Sequence, residues 1–161
     1  MIGKGKSISH GTAALEYDLA KEIDGQTAAI EIARHELYGC TGAEMVQEMK
    51  PYHADFPNVK NNCLRFEVSP SIEESATFTD ADWAELGNDF MQRMGLANHQ
   101  YIIIRHSGTE SKKEQAHLHI LANRVSLSGE LYRDNWIGQK ATEAANAIAK
   151  ERNFVQWQDI G

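Results

Sequence analysis

Two histidines separated by one apolar residue, His117-Leu118-His119, open a run that continues Ile120-Leu121-Ala122-Asn123-Arg124-Val125. A third, His106, ends the run Tyr101-Ile102-Ile103-Ile104-Arg105 on the far side of a polar segment. On an extended strand, residues two apart project from the same face about 6.6 Å apart, close enough for two imidazoles to converge on one ion. Both runs are rich in β-branched residues and the segment between them is polar or small, so together they read as a hairpin. A register symmetric about 107–116 sets His106 opposite His117 and brings His106, His117 and His119 to one face. Three neutral imidazoles suit a divalent metal with positions left open for water and substrate, as in a catalytic site. The ordinary alternative for such a spacing is a surface or core pair that holds no ion.

The elements that must carry these residues follow from periodicity. Residues 2–9 suit a first strand or an extended arm. A helical pattern then starts at Gly11 or Thr12, with Leu15, Leu19 and Ile23 four apart, and ends near Gly25. Tyr17 stands about 200° around that helix from Leu15, so its hydroxyl is free to face a cleft; the alternative is a second packed stripe with Ala13 and Ala20. The pattern Ile30, Ala33, Leu37 predicts a helix over 27–38, and a shorter one covers 43–49 before Pro51 stops it. Residues 63–68 alternate as a strand, with Leu64, Phe66 and Val68 on one face and Arg65 and Glu67 on the other. Thr79 caps a helix whose buried face is Trp83, Leu86, Phe90 and Met94, ending at Gly95. After the histidine hairpin come a short strand at 130–133 and a last helix over 137–152. The order predicts an α+β fold with a central antiparallel sheet flanked by helices, a two-layer or three-layer sandwich.

With 161 residues, 42% of them hydrophobic, the chain has the length of one domain. No apolar run approaches the ~18 residues needed to span a bilayer and the N-terminus lacks a signal-peptide core, so a cytoplasmic protein with no membrane partner is expected. Cys40 and Cys63 are too few and too far apart for a disulfide framework or a zinc knuckle. The net charge of −7 argues against broad, nonspecific nucleic-acid binding. Local patches can override the total: Lys4 and Lys6 lie near the start, Lys112 and Lys113 in the hairpin loop, and Arg105 and Arg124 flank the histidines.

The ordered set of segments resembles the nuclease domain of plasmid and transposon mobilisation relaxases, members of the histidine-hydrophobe-histidine (HUH) endonuclease superfamily. His117-Leu118-His119 followed by Asn123-Arg124-Val125 and Gly129 is similar to the family's histidine motif, and residues 98–106 to the strand that brings in its first metal histidine. Ser7-Ile8-Ser9-His10 through Leu15-Glu16-Tyr17 resembles the first motif, whose tyrosine is the nucleophile. Phe66-Glu67-Val68-Ser69-Pro70 resembles the intermediate strand, and Asn153-Phe154 the end of the domain.

The resemblance implies that Tyr17 attacks a DNA phosphodiester and that His106, His117 and His119 hold a divalent cation, Mg²⁺ or Mn²⁺. A phenol with pKa near 10 is a weak nucleophile at neutral pH and the phosphate repels it, so both problems call for a cation at the reaction centre. It further implies nicking and rejoining of one strand at an origin of transfer through a 5′-phosphotyrosyl intermediate, single-stranded DNA or a DNA hairpin as substrate, and accessory mobilisation proteins. Residues 1–161 then form a single nuclease domain, with a place at the head of a longer protein left open.

The loop between His106 and His117 is longer than usual for such families, and Gly108 stands where an acidic residue often follows the first histidine. Glu67, Glu110 or Glu114 could orient an imidazole in its place. Asn123 could hold a histidine or the strand end. Lys4, Lys6, Arg105 and Arg124 are the candidate DNA contacts, and Tyr101, Trp136 and Trp157 candidate stacking residues, with core burial as the alternative. Two other functions fit the same residues: a catalytically silent DNA-binding or metal-binding module of this fold, and a rolling-circle replication initiator or transposase. The position of Tyr17 before the histidines favours a relaxase over the second.

Overall fold

The computed structural model of the chain describes residues 1–109, 111–112 and 115–154. Its elements are β1 (Ile2–Ile8), α1 (Gly11–Leu19), β2 (Glu22–Ile23), β3 (Gln26–Thr27), β4 (Ala29–His35), α2 (Gly42–Met49), a 3₁₀ turn at Lys50–His53, β5 (Cys63–Ser69), α3 (Ile72–Ser75), α4 (Asp80–Arg93), β6 (Tyr101–His106), β7 (His117–Asn123) and α5 (Ile137–Glu151). Five strands form one antiparallel sheet in the order β1-β5-β7-β6-β4, and β2 and β3 form a separate hairpin. This is the expected α+β architecture. No helix among the described residues is long and apolar enough to cross a membrane.

Strand alternation divides the sheet into two faces with different roles. Leu64, Phe66 and Val68, with Tyr101, Ile103, Leu118, Ile120 and Ala122, form one face, buried under α4 and α5. Ile8, Cys63, Ile102, Ile104 and Leu121 form the other, where Leu15 of α1 and Met45 and Met49 of α2 cover them. Helices therefore lie on both sides, a three-layer arrangement. Burial pushes the Cys63 thiol up to about 11, in keeping with a core residue.

The close approach of α5 to β1 depends on Gly3. A Cβ added there would lie 2.4 Å from the Ala141 carbonyl oxygen and 2.8 Å from the Ala145 Cβ. The obstacle is backbone rather than a flexible side-chain tip, so Gly3→Val should destabilise the protein by about 2–3 kcal/mol, read as a lower urea midpoint.

Three expectations about the elements are corrected. The span 27–38 holds strand β4 (Ala29–His35) rather than a helix, pairing with β6 as the far edge of the sheet. The Ile30, Ala33, Leu37 spacing mimics a helix because the ladder shifts register between Glu31 and Ala33, which breaks the strand's two-residue alternation. Helix α1 stops at Leu19, short of Gly25. Asp24 and Gly25, at φ 53° and 78°, are the central residues of a two-residue hairpin joining Glu22–Ile23 to Gln26–Thr27. Asp-Gly supplies the two positive φ angles such a turn requires, and Ile23 is a buried strand residue, not a helical one. Residues 130–133 contribute an isolated bridge between Val125 and Leu131 instead of a strand.

Candidate metal centre

The histidine hairpin pairs as its symmetry requires: His106 faces His117, and Ile104 faces His119. Alternation then puts His106, His117 and His119 on the face shared with α1, beyond the part that α2 covers. One ring nitrogen from each lies within 4.8 Å of the others, and the Nε2 atoms of His117 and His119 are 3.1 Å apart.

Hydrogen bonds fix two of the three tautomers. His117 Nδ1 donates to the Gln115 carbonyl at 2.9 Å, leaving the Nε2 lone pair for a ligand. His106 Nε2 donates to the Asp18 carbonyl at 2.8 Å, leaving Nδ1. His119 Nδ1 lies 3.9 Å from the Asp18 carboxylate. Acceptors behind each ring are the usual means of aiming imidazoles at a cation.

Burial, followed by the charges of His106, His117, Arg65 and Lys21, pushes His119 down to about 2. Burial also lowers His106, against the hydrogen bond and charge of Asp18 that raise it. Rings that resist protonation keep their lone pairs available, so the donor set, its convergence and its outer acceptors fit a divalent cation.

This electrostatics sets a stability dependence for the metal-free protein. Above about pH 6.5 His119 is neutral in both folded and unfolded states. Below it the unfolded chain takes up a proton that the folded chain refuses, so stability falls by about 1.4 kcal/mol per pH unit toward the folded pKa. Urea unfolding with chelator present, at about pH 7 and about pH 5, should show that slope, and His119→Asn should flatten it.

Two acidic side chains reach the centre. Glu67, directly across from His119 in the ladder, places Oε1 3.7 Å from His117 Nε2. Asp18 is fully buried and bound by Arg65, whose Nε donates to Oδ2 at 3.2 Å and whose Nη2 donates to Oδ1. Arg65 thus serves Asp18, not its strand neighbour Glu67. Asp18, Arg65 and the Gln115 carbonyl were not singled out from sequence, although a charged residue three positions from Leu15 on the packed side of α1 was a signal for the first.

Tyr17, adjacent to Asp18, is 60% exposed on α1. Lys21 Nζ donates to its hydroxyl at 3.5 Å and lies 5.6 Å from its ring centroid. The same ammonium contributes to lowering both His106 and His119.

Lys4 and Lys6 also face the centre. With Arg65, Glu67 and His119 they line a cleft of about 220 Å³. A hollow of about 360 Å³ between Lys4, Glu67, Lys112 and His117 adjoins it.

Other expected site residues lie elsewhere. Arg105 alternates with His106 onto the opposite face, where Nη1 pairs with Asp80 at 2.9 Å. Arg124 is a structural clamp, donating to the Tyr132 and Asn61 carbonyls and pairing with Asp134. Asn123, fully buried four residues beyond His119, accepts from His53 and from the Val125 amide and donates to Met49 and Gln100, so its amide is consumed away from the histidines. Tyr101 is buried with its hydroxyl on Asn88. Glu110, Lys113, Glu114 and Trp157 lie outside the described residues.

A family model described as relaxase, MobA/VirD2-like, nuclease domain matches residues 17–154, a span that starts at Tyr17 and takes in all three histidines. Comparison with curated proteins gives no match.

Proposed function

The chain belongs to the MobA/VirD2-like relaxase nuclease domain family, and from that premise we propose that it nicks and rejoins one DNA strand at an origin of transfer, with Tyr17 as nucleophile, to start conjugative mobilisation. DNA nicking and single-stranded DNA binding follow from the family.

The observation that carries the reading is the seat of the tyrosine-bearing turn on the histidines. Asp18, the residue after Tyr17, accepts from His106 through its carbonyl and faces His119 with its carboxylate. Tyr17 is therefore tied to the cluster by its own backbone neighbour, while its side chain stays open to substrate.

His106, His117 and His119 would hold Mg²⁺ or Mn²⁺, which when bound neutralises charge on the scissile phosphate and polarises a nonbridging oxygen. Tyr17 Oη forms a bond to phosphorus, the bond from phosphorus to the 3′ oxygen breaks, the phenol proton leaves to water, and the 3′ oxygen takes up a proton. Lys21 stabilises negative charge on the phenol oxygen as its proton departs. Lys4 and Lys6 bind flanking phosphates in the cleft. One ester replaces another, so reversal by a 3′-hydroxyl reseals the strand.

The test is incubation with labelled single strands carrying the origin of transfer, with Mg²⁺ or Mn²⁺ or with chelator. A protein–DNA adduct that survives denaturation and requires the metal is expected. DNA binding with metal bound and no adduct would instead favour a silent module of the same fold.

A further inference from the structure

We propose that the corner formed by Arg133 and Trp136, at the open edge of β1, is a subsite that holds single-stranded DNA flanking the scissile phosphate. It rests on the nicking reading and extends the bound strand beyond the cleft.

Trp136 is 76% exposed, the largest exposure among the bulky apolar side chains described. Its backbone is also unfavourable for a side chain of its size: φ 60°, ψ 26° is the left-handed region, and as the N-cap of α5 it makes no side-chain capping bond. Glycine or asparagine would serve the fold better at such a position. An exposed indole held in a costly conformation that contributes neither cap nor core burial points to a role outside folding.

Its surroundings define the ligand. Arg34, Arg65, Arg93, Arg105, Arg124 and Arg152 all form ion pairs. Arg133, the remaining arginine of the sequence, is exposed and has no acidic partner among the described residues. It stands three positions before Trp136. The segment carrying both is pinned to β1 by Ser7 Oγ, which donates to Asp134 at 2.7 Å, and runs close to it again at Gly138, where an added Cβ would lie 3.7 Å from the Gly5 carbonyl oxygen. Between them β1 presents Lys6 to the cleft beside His119, and Lys4 lies one alternation further along.

β1 ends the sheet, and no strand among the described residues lies outside it, so a bound strand leaving the cleft would pass around this edge to the indole. Cations without an acidic partner among the described residues, together with an accessible aromatic plane in a chain of net charge −7, match a strand with anionic phosphates and stackable bases.

Binding is tested in the metal-loaded full chain carrying Tyr17→Phe, so that no adduct traps the DNA, with a fluorescein-labelled single strand of mixed sequence. Trp136→Ala should weaken binding about tenfold, and Trp136→Phe should restore most of it, since base stacking tolerates any aromatic. Trp136→Gly should bind as weakly as Trp136→Ala with a melting temperature unchanged or higher, which a structural role for the indole does not allow. Arg133→Gln should weaken binding and reduce its salt dependence.

Parent and Trp136→Ala binding alike would overturn the subsite and leave the nicking reading intact. A wild-type protein that forms no adduct, while Trp136→Ala still weakens the parent's binding, would sink the nicking reading and keep the subsite. A parent that binds no single strand, whether of mixed sequence or carrying the origin of transfer, overturns both. Dissociation of a dimer by Trp136→Ala, with DNA affinity unchanged, would reassign the corner to protein contact.

Discussion

Tyr17→Phe is expected to lower covalent adduct formation by at least roughly 10³-fold while leaving Mn²⁺ and single-strand affinity unchanged. On the proposed reading the hydroxyl is the nucleophile and the three imidazoles are the donors of the centre, so its loss removes the bond-forming oxygen and leaves the imidazoles in place. His119→Ala should have the complementary signature, with weak Mn²⁺ binding as well as little adduct. Titration calorimetry with Mn²⁺ beside a denaturing gel separates the two.

Three of the other four tyrosines are poor substitutes. Tyr38 is 75% exposed, but its hydroxyl bonds Glu36, and that bond with the neighbouring carboxylates raises its pKa and repels a phosphate. Burial raises Tyr101 and Tyr132, whose hydroxyls are committed to Asn88 and to the Met94 carbonyl. An undiminished adduct in Tyr17→Phe would nonetheless move the nucleophile elsewhere and defeat the assignment.

Arg65→Leu is expected to destabilise the protein by about 3 kcal/mol and to weaken Mn²⁺ binding near neutral pH. It removes the guanidinium from a carboxylate that is only 1% exposed, and a buried charge stripped of its partner typically costs several kcal/mol. The arginine side chain is 22% exposed, which holds the figure to the lower part of that range.

The effect on the metal comes through His119. Arg65 holds the Asp18 carboxylate 3.9 Å from His119 Nδ1, and losing it frees the acceptor that stands behind that ring. Lys at this position keeps the charge but not the two-pronged geometry, so Arg65→Lys should fall between. Unchanged unfolding and unchanged Mn²⁺ titration in Arg65→Leu would disprove the coupling of the two sites through Asp18.

Local sequence carried the histidine centre because a strand's repeat is two residues and a hairpin's register follows from its symmetry. His106 opposite His117, with His119 on the same face, needed nothing beyond the two β-branched runs and the polar loop between them. The same holds for β5 and for α4, whose Thr79–Asp82 capping box marks its start. Strand β4 was illegible because a register shift at a sheet edge erases alternation, leaving apolar spacings that also fit a helix. The end of α1 was missed because Leu15, Leu19 and Ile23 keep helical spacing across an Asp-Gly turn that breaks it.

What sequence by itself determined was which side chains can do chemistry and which of them share a strand face, because both depend on residue type and on contacts close along the chain. Tertiary structure alone decided their partners. Asp18 meets Arg65, 47 residues away, and His106, 88 residues away, only because α1 packs across the sheet. Tertiary packing likewise pairs Arg105 with Asp80, spends Arg124 and Asn123 on structural bonds, and leaves Arg133 without an acidic partner among the described residues, three positions before an exposed Trp136. Charge pairing and burial depend on distances between segments remote in the chain, and no local pattern of residue types encodes those distances.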